Sequence, residues 1–357
     1  MPAEWEPHAA TWIAWPHYRD DWPGKFQNIP WVYSEIVRHL ARHEKVDIVV
    51  NDRATEASAV KVLDAAGALL NSVRFHHWPT DRVWVRDYGP IVLRTDSAAR
   101  RWTAKNPLGK RPLLATTWRF NAWAKYPNWK NDARIAAKIA QKLRMPAVKP
   151  TLQCNGQRHR VVLEGGSIDV NGSGLMLTTE ECLLSPVQAR NPGAGRAELE
   201  KVFAENLGIE KVFWLDGGIV GDDTHGHVDD IARFVSPDTI AVAVERKRND
   251  PNYSPLQENL RRLRAMTDLN GRACRLVDLP MPEPVVFRKR RLPASYANFY
   301  VANGLVLVPT FNDKNDRMAL NILAELFPDR EVVGIYCGDL IWGFGAIHCL
   351  TQQQPAA

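Results

Sequence analysis

Cys349 lies near the C-terminal end of the sequence, in the tract IWGFGAIHCLTQQQP. The small residues Gly343, Gly345 and Ala346 precede it, so few side chains stand between this thiol and an incoming ligand. A cysteine in isolation is usually a small buried hydrophobe, and it acts as a nucleophile only where its surroundings favour the thiolate. Cys349 is therefore a candidate nucleophile that needs partners from elsewhere in the chain.

A histidine and a carboxylate two residues apart, His227 and Asp229, stand within GDDTHGHVDDIARFV. If this tract is a strand, alternation places both side chains on one face, where an acid/base group would lie beside a carboxylate. Two other interpretations stay open. His225 and His227 are polar loop residues, or they are half of a metal site, since His-x-His is a familiar ligand spacing. Because no second cluster of ligating residues stands out in the sequence, we favour the acid/base role.

Two further carboxylates, Asp87 in VWVRDYGPI and Glu164 in VVLEGGS, follow apolar runs that we interpret as strands. Each of them alone could also be a turn former, a helix cap or a salt-bridge partner. Trp84 stands beside the first, and 11 of the 13 tryptophans precede residue 130. Most tryptophans should be core residues, but an aromatic face also suits a flat, delocalised cation.

A repeated order of elements must position these candidates. Helix-like apolar spacing begins near Ala54, Asn131, Ala197, Ser254 and Asn315. Each of these helices is followed by a β-rich run: VRFHHW from Val73, RVVLEG from Arg160, KVFWL from Lys211, RACRLVDL from Arg272 and EVVGIYC from Glu331. Hairpin turns are predicted at Asn171-Gly172 and Asn303-Gly304, and one more helix, residues 31–43, lies outside the repeat. The pattern indicates similar units packed in a ring, in one domain of residues 1–357.

The repeat predicts that the polar candidates converge. Asp87, Glu164, His227 and Cys349 each lie about 30 to 34 residues after the start of their own unit, and matching points of a ring face one axis. The remaining unit presents Asn298, within Tyr296-Ala297-Asn298, at a longer offset. Carboxylates can hold a planar guanidinium through paired N–H···O bonds and fix its central carbon before a thiol. We therefore expect a cysteine-dependent hydrolase of guanidinium groups.

Composition limits the alternatives. The N-terminus lacks the basic and apolar regions of a signal peptide, and no run of eighteen apolar residues occurs, which predicts a cytoplasmic protein without a membrane partner. Five scattered cysteines without a CxxC pair are poor material for disulfides or structural zinc. The net charge of +6 and the basic run at residues 288–291 are compatible with nucleic acid, but no recognition module accompanies them, so we expect no such partner.

Six tracts, in this order, resemble the agmatine deiminase and bacterial (Porphyromonas-type) peptidylarginine deiminase family: MPAEWEPHAATWIAWPH, VWVRDYGP, LEGGSIDVNGSG, GHVDD, PASYANFY and IHCLTQQQP. The resemblance spans nearly the whole chain. It places the chain in the guanidine-modifying (pentein) superfamily and implies an α/β fold, a five-bladed α/β propeller with a central active site. Relatives of this size often pair, so a homodimer is an open alternative to a monomer.

The resemblance also implies roles for the site residues. Cys349 corresponds to the nucleophile, His227 to the general acid/base, Asp87 and Asp229 to the guanidinium-binding carboxylates, and Glu164 to the supporting acid. The implied reaction releases ammonia through a covalent amidino-cysteine intermediate and requires no metal or organic cofactor. Either the bound cation or His227 must help to form the thiolate.

The sequence departs from the usual family pattern near the expected pocket. Phe344 and Ala346 replace glycines, Ser167 follows the EGG motif, and Ala124-Lys125 stands where a glycine pair is usual. These changes leave the substrate less determined than the reaction.

Agmatine, which such enzymes convert in putrescine biosynthesis, carries an ammonium at its far end, and we favour it as substrate, with Trp84 and Asn298 as further substrate-binding residues. Peptidyl arginine or another guanidino compound is the alternative, because Arg119, Lys125 or the 288–291 run could bind a carboxylate. A propeller that only binds a ligand is the alternative of another class.

Overall fold

The computed structural model describes residues 1–95, 112–154 and 156–357. Within these ranges the α-helices, in chain order, are α1 (Ile29–Leu40), α2 (Arg53–Ala65), α3 (Val85–Tyr88), α4 (Ile135–Lys142), α5 (Glu180–Leu184), α6 (Arg196–Leu207), α7 (Tyr253–Ala265), α8 (Asp316–Leu326) and α9 (Ile347–Leu350). Short 3-10 turns that bear on the site are Ala122–Ala124, Gly165–Ser167, Val228–Asp230 and Leu340–Gly343.

The strands of the same ranges, in chain order, are β1 (His8–Ala14), β2 (Lys45–Val50), β3 (Val73–His77), β4 (Ile91–Arg94), β5 (Leu113–Thr116), β6 (Ala147–Val148), β7 (Thr151–Cys154), β8 (Gln157–Arg160), β9 (Asp169–Val170), β10 (Leu175–Thr179), β11 (Lys211–Leu215), β12 (Ala232–Ser236), β13 (Thr239–Val244), β14 (Arg275–Pro280), β15 (Val286–Phe287), β16 (Arg290–Arg291), β17 (Tyr300–Ala302), β18 (Leu305–Thr310), β19 (Glu331–Tyr336) and β20 (Gln352–Pro355).

Five sheets of the described chain share one topology. In each, an antiparallel strand pair is extended by a parallel strand that follows a crossover helix, giving the orders β4-β5-β6, β9-β10-β11, β12-β13-β14, β17-β18-β19 and β20-β1-β2-β3. The last sheet joins the two ends of the chain, because β20 pairs with β1, and it carries a second parallel step from β2 to β3. The repeated order of helix and strand predicted from the sequence is therefore present.

Most element predictions are confirmed. The five predicted helices correspond to α2, α4, α6, α7 and α8, and the helix outside the repeat is α1. Both hairpins form where Gly172 and Gly304 adopt positive φ angles of 75° and 62°, which glycine tolerates at no steric cost. These turns fix the register of β9 with β10 and of β17 with β18.

The strand predicted from Arg160 is wrong. Arg160 ends β8, and the strand that follows α4 in its sheet is Ala147–Val148. The apolar residues Val161, Val162 and Leu163 are buried, but they lie in a connecting segment with one isolated bridge, between Val162 and Arg119. An apolar run signals burial, and a buried connection satisfies that signal as well as a strand does.

Apolar faces of the helices cover the sheets. Strand β2 is buried at every position after Lys45, as expected for a parallel strand covered on both sides. Among the described residues, no helix is both long and apolar enough to cross a membrane.

Candidate active site

The candidate nucleophile Cys349 lies in the one-turn helix α9, directly before β20, and only 6% of it is exposed. Asn298, which precedes β17, holds this turn. Its side-chain oxygen accepts the backbone N–H of His348 at 3.0 Å, and its side-chain nitrogen lies 3.2 Å from the Cys349 sulfur. The amide of Asn298 thus fixes both the backbone and the sulfur of the nucleophile tract.

Asp87 and the pair His227 and Asp229 reach the site from short helical turns, so the strand assignments made for them from the sequence are wrong. Asp87 lies in α3 and not at the end of a strand. His227 directly precedes the 3-10 turn Val228–Asp230. The loop before this turn is tightened by Asp222, which accepts the N–H groups of Gly226 at 2.7 Å and His227 at 3.1 Å. The strand β12 begins only at Ala232.

Tight backbone packing brings these groups together around Gly166. A Cβ atom on Gly166 would lie 2.6 Å from His227 Nδ1 and 2.9 Å from both Asp229 Oδ2 and Asp87 Oδ1. The Gly166 N–H also donates to Asp87 Oδ1 at 3.1 Å. The EGG motif therefore supplies Glu164 and the space in which three other polar groups meet.

Each carboxylate of the site is held by a fixed donor. Trp123 Nε1 donates to Asp87 Oδ2 at 2.9 Å, Arg190 Nε donates to Glu164 Oε1 at 3.1 Å, and His348 Nδ1 lies 2.7 Å from Asp229 Oδ2. The Trp123 contact depends on a strained turn, since residues 122–124 all have positive φ angles between 52° and 58°.

Four buried polar atoms at the centre have no hydrogen-bond partner: Glu164 Oε2, Asp229 Oδ1, and both ring nitrogens of His227. The nearest carboxylates to His227 are Asp87 Oδ1, 3.8 Å from Nδ1, and Glu164 Oε2, 4.0 Å from Nε2. Leaving a buried polar atom unpaired costs about 1–3 kcal/mol. The two carboxylate oxygens among them are suited to accept hydrogen bonds from a ligand that is rich in N–H donors.

The electrostatics of the site favour a bound cation. The pKa of Asp87 is raised to about 6, because burial and the neighbouring carboxylates of Asp229 and Glu164 outweigh the lowering by His227 and Trp123. Burial also acts to raise the pKa of Asp229, but His348, through its hydrogen bond and its charge, together with His227 and Arg233 lowers this pKa below its usual value.

The thiol and the imidazole respond in opposite ways to the same carboxylates. Burial raises the pKa of the Cys349 thiol well above its usual range, and the carboxylates of Asp229, Asp230 and Asp87 add to the rise. For His227, burial would lower the pKa, but Asp87, Cys182 and Asp229 raise it well above the ordinary value. His227 is thus an imidazolium and Cys349 a neutral thiol while the site holds no cation.

A small cavity, partly open to solvent, borders Cys349. Its lining residues are Arg82, Trp84, Asp87, Trp123, Asp223, Thr224, Gly343, Phe344, Gly345 and Cys349. The indole of Trp84 packs against the glycine tract, where a Cβ on Gly345 would lie 2.6 Å from Trp84 Cζ3. The predicted substrate-binding residue Trp84 therefore forms a wall of this cavity.

Asp223 supplies a carboxylate to the same cavity. Its Oδ1 accepts hydrogen bonds from Lys125 Nζ at 2.6 Å and from Arg290 at 2.8 Å, and its Oδ2 accepts one from the Tyr126 hydroxyl. The guanidinium of Arg290 also lies over the Phe344 ring, 4.1 Å from its centre. Of the residues that depart from the family pattern, Phe344 lines this cavity and Lys125 contacts its lining residue Asp223.

Potential metal ligands also occur here. Within the described ranges, Glu164, Cys182 and His227 offer ligand atoms that all lie within 4.8 Å of one another. His225 does not belong to this group, because its ring lies 3.2 Å from Ser185 and 3.6 Å from Glu181. The His-x-His pair of the sequence therefore does not supply two ligands to one site. All five cysteines are free thiols.

Sequence reasoning missed several residues around the site, among them Cys182, Arg190, Asp223 and Glu4. Arg190 and Cys182 lie between 18 and 26 residues after Glu164 and have no distinctive local motif. Asp223 stands four residues before His227, in the tract already singled out, and this proximity was the one available signal.

Comparisons with known proteins agree with these features. A family model described as Porphyromonas-type peptidyl-arginine deiminase matches residues 1–355. An agmatine deiminase of Medicago truncatula is 35% identical over 382 aligned positions, covering 100% of this chain and 96% of the relative. The solved agmatine deiminase of Enterococcus faecalis has a TM-score of 0.86 and 30% identity, covering 99% of this chain and 95% of its own. A substrate-bound C. jejuni agmatine deiminase has a TM-score of 0.82 and 28% identity over 99% and 95% of the two chains.

The sheet topology and the converging thiol, imidazole and carboxylates define an α/β enzyme of the guanidine-modifying, or pentein, superfamily, a hydrolase of C–N bonds. Within it, the chain belongs to the Porphyromonas-type peptidyl-arginine deiminase family. The family resemblance carried by the six sequence tracts is thereby confirmed.

Proposed function

We propose that this chain is an agmatine deiminase, which hydrolyses agmatine to N-carbamoylputrescine and ammonia. The observation that carries the proposal is the pair of buried carboxylate oxygens in the site that have no hydrogen-bond donor, Asp229 Oδ1 and Glu164 Oε2. A guanidinium offers N–H donors in one plane, and two carboxylates can hold it with its central carbon before the thiol. The curated and solved relatives named agmatine deiminase support the same activity.

Asp87 and Asp229 bind the guanidinium N–H groups, and Glu164 supports His227. Cys349 Sγ lies 3.8 Å from Asp229 Oδ2, so a cation held by Asp229 is next to the sulfur. Asn298 orients the sulfur through its amide nitrogen. A contact of the named side chain in the free protein supports each of these roles.

The reaction has two steps. The Cys349 thiolate attacks the guanidinium carbon and forms a C–S bond, the His227 imidazolium gives its proton to the leaving nitrogen, and the C–N bond breaks to release ammonia. Water then attacks the amidino carbon and gives one proton to His227, the C–S bond breaks to release the thiolate, and the second proton of the water is lost to solvent as the neutral ureido product leaves.

The bound substrate generates the thiolate. Burial and three carboxylates raise the pKa of Cys349 in the free protein. A guanidinium placed among those carboxylates neutralises them and lowers the cost of charge on the sulfur, so the Cys349 thiol loses its proton to solvent. The sequence left open whether the cation or His227 forms the thiolate, and the direction of the Cys349 pKa favours the cation.

The far end of the cavity decides the substrate. Asp223 is the acidic lining residue there, and Trp84 and Trp123 supply aromatic walls for the aliphatic chain. The ammonium of agmatine therefore binds Asp223, in competition with Lys125 and Arg290. The second candidate, peptidyl arginine or another guanidino compound with a carboxylate, is favoured by the same two cations at the cavity mouth.

We also propose that the five sheets are the blades of a five-bladed propeller around the site, within a single domain. Their shared topology supports this arrangement, and so does the pairing of β20 with β1, which joins the chain ends. A cytoplasmic location is supported by the five free thiols. Two of the four cations in the basic run, Arg290 and Arg291, pair with Asp223 and Asp250, which reduces the charge that the run offers to nucleic acid.

The proposal is tested by incubating the purified protein with agmatine, free arginine and a peptide ending in arginine, while ammonia and ureido product are measured. Release from agmatine at the highest kcat/KM is the expected result. Higher kcat/KM for arginine or the peptide would establish the second candidate, and lack of release from every guanidine would establish a ligand-binding propeller.

A further inference from the structure

Glu4, at the start of the chain, lies at the centre of a buried charge network that the proposed reaction does not use. Its carboxylate accepts hydrogen bonds from Arg233 Nη2 at 2.9 Å, Arg86 Nη2 at 3.1 Å and the Val301 N–H at 2.9 Å. A further contact, 2.8 Å from Oε2, joins it to His348 Nε2. Only 7% of Glu4 is exposed, so these contacts are shielded from solvent.

His348 connects this network to the site. Its Nε2 faces Glu4, its Nδ1 faces Asp229 Oδ2 at 2.7 Å, and only 2% of the residue is exposed. An ionised carboxylate accepts hydrogen bonds but cannot donate them, so an imidazole between two of them donates from both nitrogens and carries a positive charge. Arg233 and Arg86 support this state, because they help to lower the pKa of Glu4 well below its usual range despite burial.

We infer that Glu4 and His348 are positioning residues for the deimination reaction: Glu4 holds His348 as a buried cation, which fixes Asp229 Oδ2 and leaves Asp229 Oδ1 for the substrate guanidinium. Neither residue touches the substrate in this arrangement. The inference rests on the proposed function, in which Asp229 binds the guanidinium.

The geometry explains why such a cation is required. Asp229 is fully buried, and Asp230, Asp87 and Glu164 are also carboxylates of this region. His348 lowers the pKa of Asp229 together with His227 and Arg233, so without His348 the Asp229 carboxylate would take up a proton at higher pH and would then bind a guanidinium poorly. The charged groups that face His348 are Glu4, Asp229 and Arg86, whose Nε donates to the His348 carbonyl at 3.3 Å.

The substitution His348→Asn tests the role of the cation directly. Asparagine retains an N–H near Asp229, but it carries no charge and is too short to reach Glu4. We expect kcat/KM for agmatine at pH 7 to fall about ten-fold or more, and the acid limb of the pH profile to move to higher pH because the Asp229 carboxyl has lost its cation. A folded variant with the wild-type pH profile would overturn the inference.

A double-substitution cycle tests whether Glu4 acts through His348. Glu4→Gln should lower kcat/KM in the wild-type background and should have little further effect in the His348→Asn background. Effects that multiply would mean that Glu4 acts independently of His348. If Glu4→Gln does not fold, the positioning role is tested by His348→Asn and by a second substitution, His348→Gln. Both of them leave the arginine pairs of Glu4 in place.

Glu44→Gln is the matched control. Glu44 is also a buried glutamate beside a histidine, 3.3 Å from His8 Nδ1, but it has no contact with Asp229. It should lower stability without moving the pH profile. A wild-type protein that neither binds nor hydrolyses agmatine would contradict the proposed function, whereas an active wild type with an unshifted His348→Asn profile would contradict the positioning role alone.

Discussion

The sulfur of Cys349 lies among carboxylates, and this placement makes its reactivity depend on the substrate. In the free protein Asp229, Asp230 and Asp87 all add to the effect of burial on its pKa. A nucleophile of this kind is protected from alkylation and oxidation until a cation arrives, because the thiolate is the reactive form. The surrounding carboxylates, which bind the substrate, thus also keep the thiol protonated in the free protein.

Cys349→Ala should abolish ammonia release from agmatine and spare its binding, since the carboxylates remain. Isothermal titration calorimetry measures the binding, and an ammonia assay measures the turnover. Cys274→Ala, at a half-buried thiol outside the cavity, is the control and should keep wild-type kinetics. Ammonia release at the wild-type rate from Cys349→Ala would contradict the nucleophile assignment.

Asp87 should set the acid limb of the pH profile. Its pKa is raised to about 6, and the guanidinium needs the ionised form, so kcat/KM should fall as the pH falls through about 6. Initial rates between pH 5 and 8 at low agmatine concentration measure this limb. A limb near the ordinary carboxyl pKa of about 4 would show that Asp87 is not the group that titrates.

At the scale of the element, short turns rather than long strands or helices present the site. The turn Gly165–Ser167, helix α3 and the turn Val228–Asp230 meet around Gly166, where no Cβ fits. The strained turn at residues 122–124 adds the Trp123 contact. These turns connect the sheets, so the packing of the sheets fixes the distances between the turns.

Gly166→Ala should therefore inactivate the protein, and overpacking of this buried position should also lower the free energy of unfolding by about 1–3 kcal/mol. The new methyl group would displace His227 and the two aspartates, and we expect kcat to fall by about a hundred-fold or more, since displacements of about 1 Å cost rates of this size. Gly67→Ala is the control, because that glycine has open space around it and its strain affects only stability. Near-wild-type kcat for Gly166→Ala would contradict the close approach.

In the hairpin β15–β16, Arg290 pairs with Asp223 and Arg291 pairs with Asp250. Of these two aspartates, only Asp223 lines the cavity. Asp223→Asn should raise the KM for agmatine by about ten-fold or more with little change in kcat, because it removes an acceptor for the ammonium. Asp250→Asn, the partner of Arg291, should leave both constants unchanged. Equal effects of the two substitutions would indicate that Asp223 acts only through the hairpin.

At the scale of the whole molecule, the last strand joins the two ends of the chain beside the site. Strand β20 pairs with β1, and Gln353 in it accepts a hydrogen bond from Arg86 Nη1 at 2.6 Å. Cys349 stands three residues before this strand, so the closure of the sheet and the position of the thiol are coupled.

Removal of residues 352–357 should lower the Tm by several degrees and abolish activity, because the strand pairing and the Arg86 contact are lost together. Differential scanning calorimetry and the ammonia assay measure the two effects. Deletion of the exposed Ala357 alone is the control and should change neither. A fully active protein without β20 would contradict the coupling.

The sequence by itself determined the family, the reaction type and most of the elements. Helical spacing, two Asn-Gly turns and the tracts around Asp87, Glu164, His227 and Cys349 are local patterns, and local physics is sufficient to interpret them. The equal spacing of these residues within their units also predicted that they meet, and the structure brings them together.

Only the tertiary structure decided which backbone presents these residues and which distant partners hold them. Polar and apolar residues alternate in the tract at His227 as in a strand. In the structure, Asp222 accepts a hydrogen bond from the Gly226 N–H and tightens this loop, and a 3-10 turn follows His227. Glu4, Arg190 and Asp223 contact the site or its cavity from 26 to 344 residues away from their partners. Their hydrogen bonds are long-range, and the free energy of a buried charge depends on neighbours that no local sequence pattern reveals.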